Sequence, residues 1–327
     1  MKASLAAIFL LFGAPIPVIA ANATTPAEGM RLVRQMASAA RQLNYSGVFV
    51  YRHGGHIETS RIWHLTDPTG DYERLETLDG PPREIVRSNE EVTCFYPVAK
   101  TATKERWTPG RRFPAVVSEQ LAAIVSSYRV TKGPVDRVAG YDCQVVILEP
   151  RDKLRYGHAF CAELKSGLPL RAKTFNDRKE TVEMFAFTQV QIGGDIPREK
   201  LQPSYDASAP GWKLERSSLG QEAASNVPWT VLNPPAGFRK VLELKRTIQG
   251  KSAAQLVFSD GLAAVSVFLE PAVAGTTAAQ ELTRQGAINI FIRPQAGYTV
   301  TALGEAPAST VMQFGNSVIL RARPANK

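Results

Sequence analysis

The chain has 327 residues, 39 Lys and Arg against 30 Asp and Glu, a formal net charge of +9, and three cysteines. Hydrophobic residues make up 44% and charged residues 21%, which excludes a disordered chain, a collagen-like fibre and a disulfide-dense mini-protein. The length predicts two domains of about 150 residues, and the positive charge favours an acidic partner: nucleic acid, anionic lipid or an acidic protein.

The N-terminus has the pattern of a cleavable export signal. Met1-Lys2 precedes an apolar run from Leu5 to Phe12, and Val18-Ile19-Ala20 offers a small residue for cleavage. The alternative is a membrane anchor, but the apolar run is shorter than the roughly 20 residues that a spanning helix needs. We therefore predict a signal peptide over residues 1–20, a soluble exported protein and no nucleic-acid partner.

One helix and a long β-rich region are predicted next. Thr25-Pro26-Ala27-Glu28 is a capping box with proline at the first helical position, and it predicts a helix from Pro26 to Leu43. His53-Gly54-Gly55-His56 predicts a turn between strands Val48–Tyr51 and Ile57–Leu65. Further strands are predicted at 72–78, 83–87, 91–96, 104–107, 143–148, 156–164, 170–175 and 181–191, with a helix at 116–127.

The composition changes after residue 200. Residues 201–228 are rich in proline, serine and glycine, which is typical of a linker. Beyond it, strands are predicted at 239–247, 254–258, 262–269, 288–292 and 298–303, short helices at 277–285 and 308–317, and a basic tail at 321–327. The predicted fold class is therefore mostly β with helices (α+β), with a first domain at 24–200 and a second at 229–320.

Two of the three cysteines lie on strands that predict a hairpin. Cys143 and Cys161 are placed symmetrically about Asp152, so they would face each other across the pair. An oxidising compartment favours a disulfide between them, and two buried free thiols are the alternative. Cys94 would then be an unpaired, small apolar strand residue.

The sequence contains no motif that indicates catalysis. It has no G-x-S-x-G elbow and no H-E-x-x-H pair. His53 and His56 flank a glycine turn, where solvated histidines are favoured over metal ligands because no cysteine or carboxylate cluster accompanies them. We therefore predict no enzyme activity, no metal site and no cofactor.

A binding surface is the remaining prediction. A curved sheet that does not close leaves an apolar cavity for acyl chains, although aromatic residues on such a sheet also serve as ordinary core. The candidate lipid-binding residues are Phe49, Tyr51, Trp63, Phe95, Tyr96 and Trp107. A basic segment suits phosphate or carboxylate groups, with a solvated loop as the alternative; its members are Lys104, Arg106, Arg111 and Arg112.

Several segments, in the same order along the chain, resemble one family: the RseB/MucB periplasmic negative regulators of the envelope-stress sigma factor. The resemblance covers nearly the whole mature chain. It is carried by Leu43–Tyr51, Glu58–His64, Leu78–Arg87, Ser259–Phe268, Gly286-Ala287 and Val300–Pro307. Together, the Leu-Asp-Gly-Pro stretch at Leu78–Pro81 and the Asp-Gly-Leu stretch at Asp260–Leu262 are fairly specific.

The resemblance implies a fold and a function. The first domain would be a half-open β-barrel similar to the lipoprotein carriers LolA and LolB, and the second a smaller sheet-and-helix domain. The protein would bind the periplasmic part of an anti-sigma factor of the RseA/MucA type and shield it from site-1 proteolysis. Lipopolysaccharide or a lipid-A-like ligand would release it, and the chain would form a homo-oligomer. A periplasmic lipid or lipoprotein carrier is the alternative.

Overall fold

A computed structural model describes residues 24–106, 121–216, 228–248, 251–272 and 279–320. The predicted signal peptide, the basic tail and the residues Trp107, Arg111 and Arg112 lie outside the described residues. No described helix is long and apolar enough to cross a membrane.

The first helix, α1, spans Pro26–Gln42 and confirms the capping prediction. The Thr25 hydroxyl accepts a hydrogen bond from the backbone N–H of Glu28 at 3.2 Å. The apolar face of α1 buries Val33 and Met36 in a cluster with strand residues of the first domain. The helix is therefore held by its apolar stripe, which was readable from the sequence.

Twelve strands form one large sheet. All neighbouring pairs are antiparallel except β12 with β6, which are parallel. The spatial order is β12-β6-β5-β4-β3-β2-β1-β11-β10-β9-β8-β7, so the sheet is open, with β12 at one end and β7 at the other. The strands are β1 Tyr45–His53, β2 His56–Asp67, β3 Gly70–Thr77, β4 Glu84–Ser88, β5 Glu91–Tyr96, β6 Thr101–Arg106, β7 Tyr128–Val138, β8 Tyr141–Pro150, β9 Gly157–Glu163, β10 Pro169–Phe175, β11 Thr181–Ile192 and β12 Lys213–Arg216, with helix α2 Leu121–Ser127 before β7.

Strand β7 was missed by the sequence prediction. It is an edge strand, largely exposed, and its register shifts between Lys132 and Val135 around Gly133-Pro134. An exposed edge strand with proline has no alternating apolar pattern to detect. The predicted helix at 116–127 is present as α2 in its described part.

Residues 196–216, here called the strap, cross the outer face of the large sheet. The strap contains a short 3-10 helix at Arg198–Leu201 and ends in β12. Leu201 joins a small cluster with Leu65 and Trp63, and Trp212 packs edge-on against Phe95 at 6.1 Å. The described part of the predicted linker, 201–216, is thus packed against the first domain.

The second domain is a six-stranded sheet with one helix and a small strand pair. The sheet order is β14-β15-β16-β19-β18-β17, and β13 pairs with β20. Helix α3 buries Val311 and Phe314 against the sheet. The elements are β13 Trp229–Val231, β14 Arg239–Ile248, β15 Lys251–Ser259, β16 Ala264–Pro271, β17 Glu281–Gln285, β18 Ile288–Gln295, β19 Tyr298–Gly304, α3 Ala308–Asn316 and β20 Val318–Leu320.

The prediction of a helix at 277–285 is wrong for the part of this range that the structure describes. Residues 281–285 form strand β17, and Gln285 pairs with Ile288 across a turn. Gly286 adopts a φ of 61° in that turn, which glycine accepts without strain. Pairing with β18 decides the conformation of this short polar segment, which has no helical apolar stripe of its own. The other predicted helix of this domain is confirmed as α3.

Candidate functional site

The two domains meet at the β8–β9 loop, residues 151–156. Arg155 in this loop donates a hydrogen bond from Nη1 to Asp260 Oδ2 at 2.6 Å, and both side chains are fully buried. The Arg155 guanidinium also contacts Asp152 at 3.0 Å and lies 5.0 Å from the centre of the Phe238 ring. A buried cation from one domain is therefore neutralised in part by the other domain.

Asp260 receives four donors, which explains how a carboxylate can be fully buried. Its Oδ1 accepts from the backbone N–H groups of Leu262 and Ala263 at 2.9 and 2.8 Å. Its Oδ2 accepts from Arg155 and from the Tyr128 hydroxyl, the latter at 3.0 Å. Burial, with a further effect of the Asp260 charge, raises the pKa of Tyr128 well above its ordinary value.

Further contacts extend this interface. The Asn289 amide donates to the Tyr156 hydroxyl at 3.0 Å. The Thr310 hydroxyl at the start of α3 donates to the Leu154 carbonyl at 2.8 Å. Ala287 is buried with Tyr156 in a small apolar cluster. The 151–156 loop thus contacts four separate parts of the second domain.

A cavity of about 290 Å³ lies beside this interface, between the inner face of the large sheet and the second domain. The first domain supplies most of the wall, and Leu262 and Glu305 of the second domain complete it. The apolar lining residues are Phe49, Leu75, Phe160, Ala172, Phe185 and Leu262. The polar lining residues are Tyr51, Glu58, Ser60, Arg83, His158, Thr174, Glu183 and Glu305.

The polar wall contains a chain of hydrogen bonds that ends on Glu183. Its two carboxylate oxygens accept from the Tyr51 hydroxyl at 2.7 Å and from the Thr174 hydroxyl at 2.9 Å. Thr174 Oγ1 also lies 3.3 Å from His158 Nδ1. Because the Thr174 proton goes to Glu183, Thr174 must accept from His158, so the proton of the neutral imidazole sits on Nδ1.

Burial shifts the pKa of three groups in the cavity wall. It raises the pKa of Glu305 to about 7, with an added effect of the Glu183 charge. It lowers the pKa of His158, which is therefore neutral at pH 7. It also raises the pKa of Tyr51, whose hydroxyl in addition donates to Glu183.

Strands β8 and β9 are joined by a disulfide between Cys143 and Cys161, with their Cα atoms 5.2 Å apart. The expected direct facing is wrong: Cys143 pairs with Glu163, and Cys161 pairs with Val145. The hairpin is centred one residue later than Asp152, which makes the two cysteines diagonal neighbours. Diagonal positions remain within reach of each other on one face of a sheet. Cys94 is not part of a disulfide.

The predicted lipid-binding aromatics divide between the two faces of the large sheet. Phe49 and Tyr51 lie on the inner face and line the cavity. Trp63 lies on the outer face, where Arg61 and Arg74 pack on its ring. Phe95 is also on the outer face, covered by the strap. Strand alternation causes this division, because neighbouring positions along a strand point to opposite faces.

The remaining predicted site residues lie away from the cavity or outside the described residues. Tyr96 is 41% exposed at the end of β5. Lys104 forms an ion pair with Glu91 at 2.6 Å. Arg106 ends β6, and its side chain is outside the described residues. The rings of His53 and His56 lie 5.6 Å apart across the predicted turn.

Sequence reasoning missed Arg155, Asp260, His158, Glu183 and Glu305. Asp260 lies in the Asp-Gly-Leu segment that carries the family resemblance, and this was its one available signal. A buried acceptor of backbone N–H groups just before a glycine is a recognisable Asx turn. The partner residues lie on other strands far along the chain, so no local pattern marks them.

The fold and the site define a two-domain, β-rich binding protein with a ligand-sized cavity between its domains. Within the described ranges, no group of three or more His, Cys, Asp or Glu residues could hold a metal ion. The model of the MucB/RseB N-terminal domain matches residues 28–205, and that of the MucB/RseB C-terminal domain matches residues 223–319. The chain therefore belongs to the MucB/RseB family.

Named relatives of this chain are sigma factor regulatory proteins. The sigma factor AlgU regulatory protein MucB of Pseudomonas aeruginosa is 29% identical over 320 residues, which cover 95% of this chain and 96% of that protein. The sigma-E factor regulatory protein RseB of Escherichia coli (strain K12) is 26% identical over 305 residues, 92% of this chain and 93% of that protein.

Solved structures of the same family share the fold. The complex structure of Pseudomonas aeruginosa MucA/MucB has a TM-score of 0.71 at 26% identity, covering 90% of this chain and 99% of that one. The crystal structure of MucB has a TM-score of 0.66 at 26% identity, covering 90% and 98%. The mostly β fold with helices that the sequence predicts is thereby confirmed.

Proposed function

We propose that this chain is a periplasmic negative regulator of an envelope-stress sigma factor. It binds the periplasmic part of an anti-sigma factor of the RseA/MucA type and shields it from site-1 proteolysis. The observation that carries this proposal is the similarity, across both domains, to MucB in its complex with MucA. A protein that acts by covering a cleavage site needs surface area and affinity, and no catalytic group.

Lipopolysaccharide or a lipid-A-like ligand is the proposed release signal, with the inner face of the first domain as its site. The cavity of 290 Å³ holds about ten non-hydrogen atoms at roughly 30 Å³ each. We propose that a lipid with several acyl chains, which exceeds that volume, displaces Leu262 and Glu305. Lipid binding and the closed arrangement of the domains would then be mutually exclusive. If the anti-sigma segment prefers the closed arrangement, lipid lowers its affinity by linkage.

The test is a binding assay with the purified periplasmic segment of the anti-sigma factor. We expect one-to-one binding per chain and protection of the segment from site-1 cleavage. Saturating lipopolysaccharide should weaken both. Absence of binding would contradict the proposal, and unchanged affinity with lipid would contradict the release mechanism alone.

The basic segment is a separate part of this proposal. Lys104, Arg106, Arg111 and Arg112 would contact the anionic groups of the lipid. The double substitution Arg111→Glu, Arg112→Glu should then weaken binding to lipopolysaccharide while circular dichroism stays unchanged. Unchanged lipid affinity would indicate that this segment is an ordinary solvated loop.

A periplasmic lipid or lipoprotein carrier is the second candidate, favoured by the apolar wall of the cavity. A carrier needs only the first domain, whereas here Leu262 and Glu305 of the second domain complete the cavity wall. Lipid binding without any affinity for the anti-sigma segment would favour the carrier. The proposed homo-oligomer is tested separately by light scattering of the purified mature chain.

A further inference from the structure

The polar wall of the interdomain cavity has a carboxylate without a donor. Glu305 borders the cavity and has no hydrogen bond or ion pair to any residue within the described ranges. His158 Nε2 also has no hydrogen-bond partner, but neighbouring atoms cover it, so it is closed off from the cavity. Glu305 is therefore the acceptor that a ligand in the cavity can reach.

The nearby donors are already committed. The Tyr51 and Thr174 hydroxyls both donate to Glu183. Arg83 donates to Glu58 at 2.9 Å, and Ser60 donates to the same carboxylate at 3.2 Å. A ligand that supplies N–H groups to Glu305 gains a hydrogen bond to a charged group, which is worth about 1.5–3 kcal/mol.

The charge of the site points the same way. Three glutamates border the cavity: Glu58, Glu183 and Glu305. Among the described residues that line the cavity, Arg83 is the one Arg or Lys side chain. Since Arg83 is paired with Glu58, the Glu183 and Glu305 carboxylates have no cation of their own there. The site thus favours a cation and disfavours a phosphate or carboxylate.

We propose that the interdomain cavity binds a small cationic amphiphile, a primary ammonium on a short apolar chain. The ammonium group donates to Glu305, and the chain lies against Phe49, Phe160 and Phe185. An eight-carbon amine has nine non-hydrogen atoms, which at roughly 30 Å³ each need about 270 Å³, so it fits a cavity of 290 Å³. This proposal is separate from the proposed lipid release, because a ligand of this size fits in the cavity while Leu262 and Glu305 stay in place.

The ligand holds the two domains together. Glu305 and Leu262 belong to the second domain, whereas the three phenylalanines belong to the first. An occupant that contacts both sides stabilises the closed arrangement, since binding to one state shifts the equilibrium toward it. A small amine and a large lipid would therefore act with opposite sign on the affinity for a partner that prefers the closed arrangement.

The test is isothermal titration calorimetry of the purified mature chain at pH 8 with octylammonium chloride. Octanol and octanoate have the same chain length and serve as neutral and anionic comparisons. We expect one octylammonium per chain, and affinity about tenfold or more above that for octanol, since a hydrogen bond to a charged group is worth about 1.5–3 kcal/mol. Octanoate should bind more weakly still. Equal affinity for octylammonium and octanol would overturn the proposal, as would no binding of octylammonium.

Two variants test whether octylammonium binds in the interdomain cavity. Glu305→Gln keeps the volume and removes the charge, so octylammonium binding should fall about tenfold or more. Glu281→Gln, an exposed carboxylate on β17, is the matched control and should leave the affinity within about twofold, because an exposed charge contributes little. Circular dichroism establishes that both variants are folded. If both variants bind like the parent chain, the cavity is not the amine site and the proposal fails.

Discussion

At the scale of single residues, Glu305 is a carboxylate whose pKa is raised by burial beside the cavity. It lies directly after β19, against the inner face of the other domain, with Glu183 nearby. Its raised pKa means that the folded protein holds the Glu305 proton more tightly than the unfolded chain does. Ionising Glu305 therefore costs folding free energy. The cost is absent below an ordinary glutamate pKa of 4.5 and is complete above about pH 7.

Because ionising Glu305 lowers the free energy of unfolding, the Glu305→Gln variant gives a test. The variant should be more stable than the parent chain at pH 8, by an amount on the order of 2 kcal/mol. At pH 3.5 the difference should largely vanish, because Glu305 is then mostly protonated in both folded and unfolded states. Urea unfolding of both chains at several pH values measures it. A difference that does not depend on pH would show that Glu305 ionises normally in the folded protein.

At the scale of elements, the sequence predicted most strands because their alternation or their turn residues are local. Strand β5 and the β1–β2 turn at Gly54-Gly55 were predicted as observed. The edge strands β7 and β17 were not, because an exposed edge has no apolar pattern and is defined by its neighbour. The sequence predicted an apolar cavity on an open curved sheet, but not the polar wall of that cavity. The polar wall joins β1, β2, β9, β10, β11 and the second domain, and contacts between such distant segments are not visible in any local sequence pattern.

Close packing of β1 against β11 requires glycine at position 47. A Cβ there would lie 2.3 Å from the Gln189 carbonyl oxygen on β11. We expect Gly47→Ala to destabilise the fold by about 1–3 kcal/mol through overpacking. Gly55→Ala is the matched control, because a Cβ at Gly55 meets nothing within 4 Å. Thermal unfolding of both variants tests this, and equal melting temperatures would mean that β1 and β11 can separate at no cost.

The disulfide constrains the hairpin that contacts the second domain. Cys143 and Cys161 are separated by 18 positions in sequence, and closing a loop of that size stabilises a fold by about 3 kcal/mol. Replacing both cysteines by alanine should lower the free energy of unfolding by about that amount. Cys94→Ala retains the disulfide and is the control. Urea unfolding measures both, and a double variant as stable as the parent would contradict the prediction.

At the scale of the whole molecule, Arg155 and Asp260 join the two domains. Both charges are buried, and Asp260 pairs with Arg155, which also pairs with Asp152 of its own loop. Such a pair specifies how two surfaces fit more than it adds net stability, since both charges lose their hydration. This ion pair is one of several contacts that hold the domains together beside the cavity, and it involves the family-specific Asp260–Leu262 segment.

Asp260→Asn should break this pair while keeping the shape of the side chain. Arg155 would keep its ion pair with Asp152 but lose its partner charge in the second domain, at a cost of about 1.5–3 kcal/mol for a hydrogen bond between charged groups. We expect a marked loss of stability and faster proteolysis between the domains, measured by denaturant unfolding and limited digestion. Asp136→Asn removes a partner of Arg171 at an exposed pair and should change little. Similar behaviour of the two variants would mean that the interface does not depend on Asp260.

The strand order of the large sheet also has a consequence for how the chain acquires its structure. Strands β1–β6 and β7–β11 are two meanders of sequence neighbours, and they meet where β1 pairs with β11, Tyr45 opposite Ile192. When the chain emerges N-terminus first, one edge of β1 stays open until residue 192 has followed. Pairing over such a sequence distance is slow, and an open strand edge invites aggregation. We therefore predict that the joining of these two halves is a late step of folding, and that the open edge of β1 is exposed until it occurs.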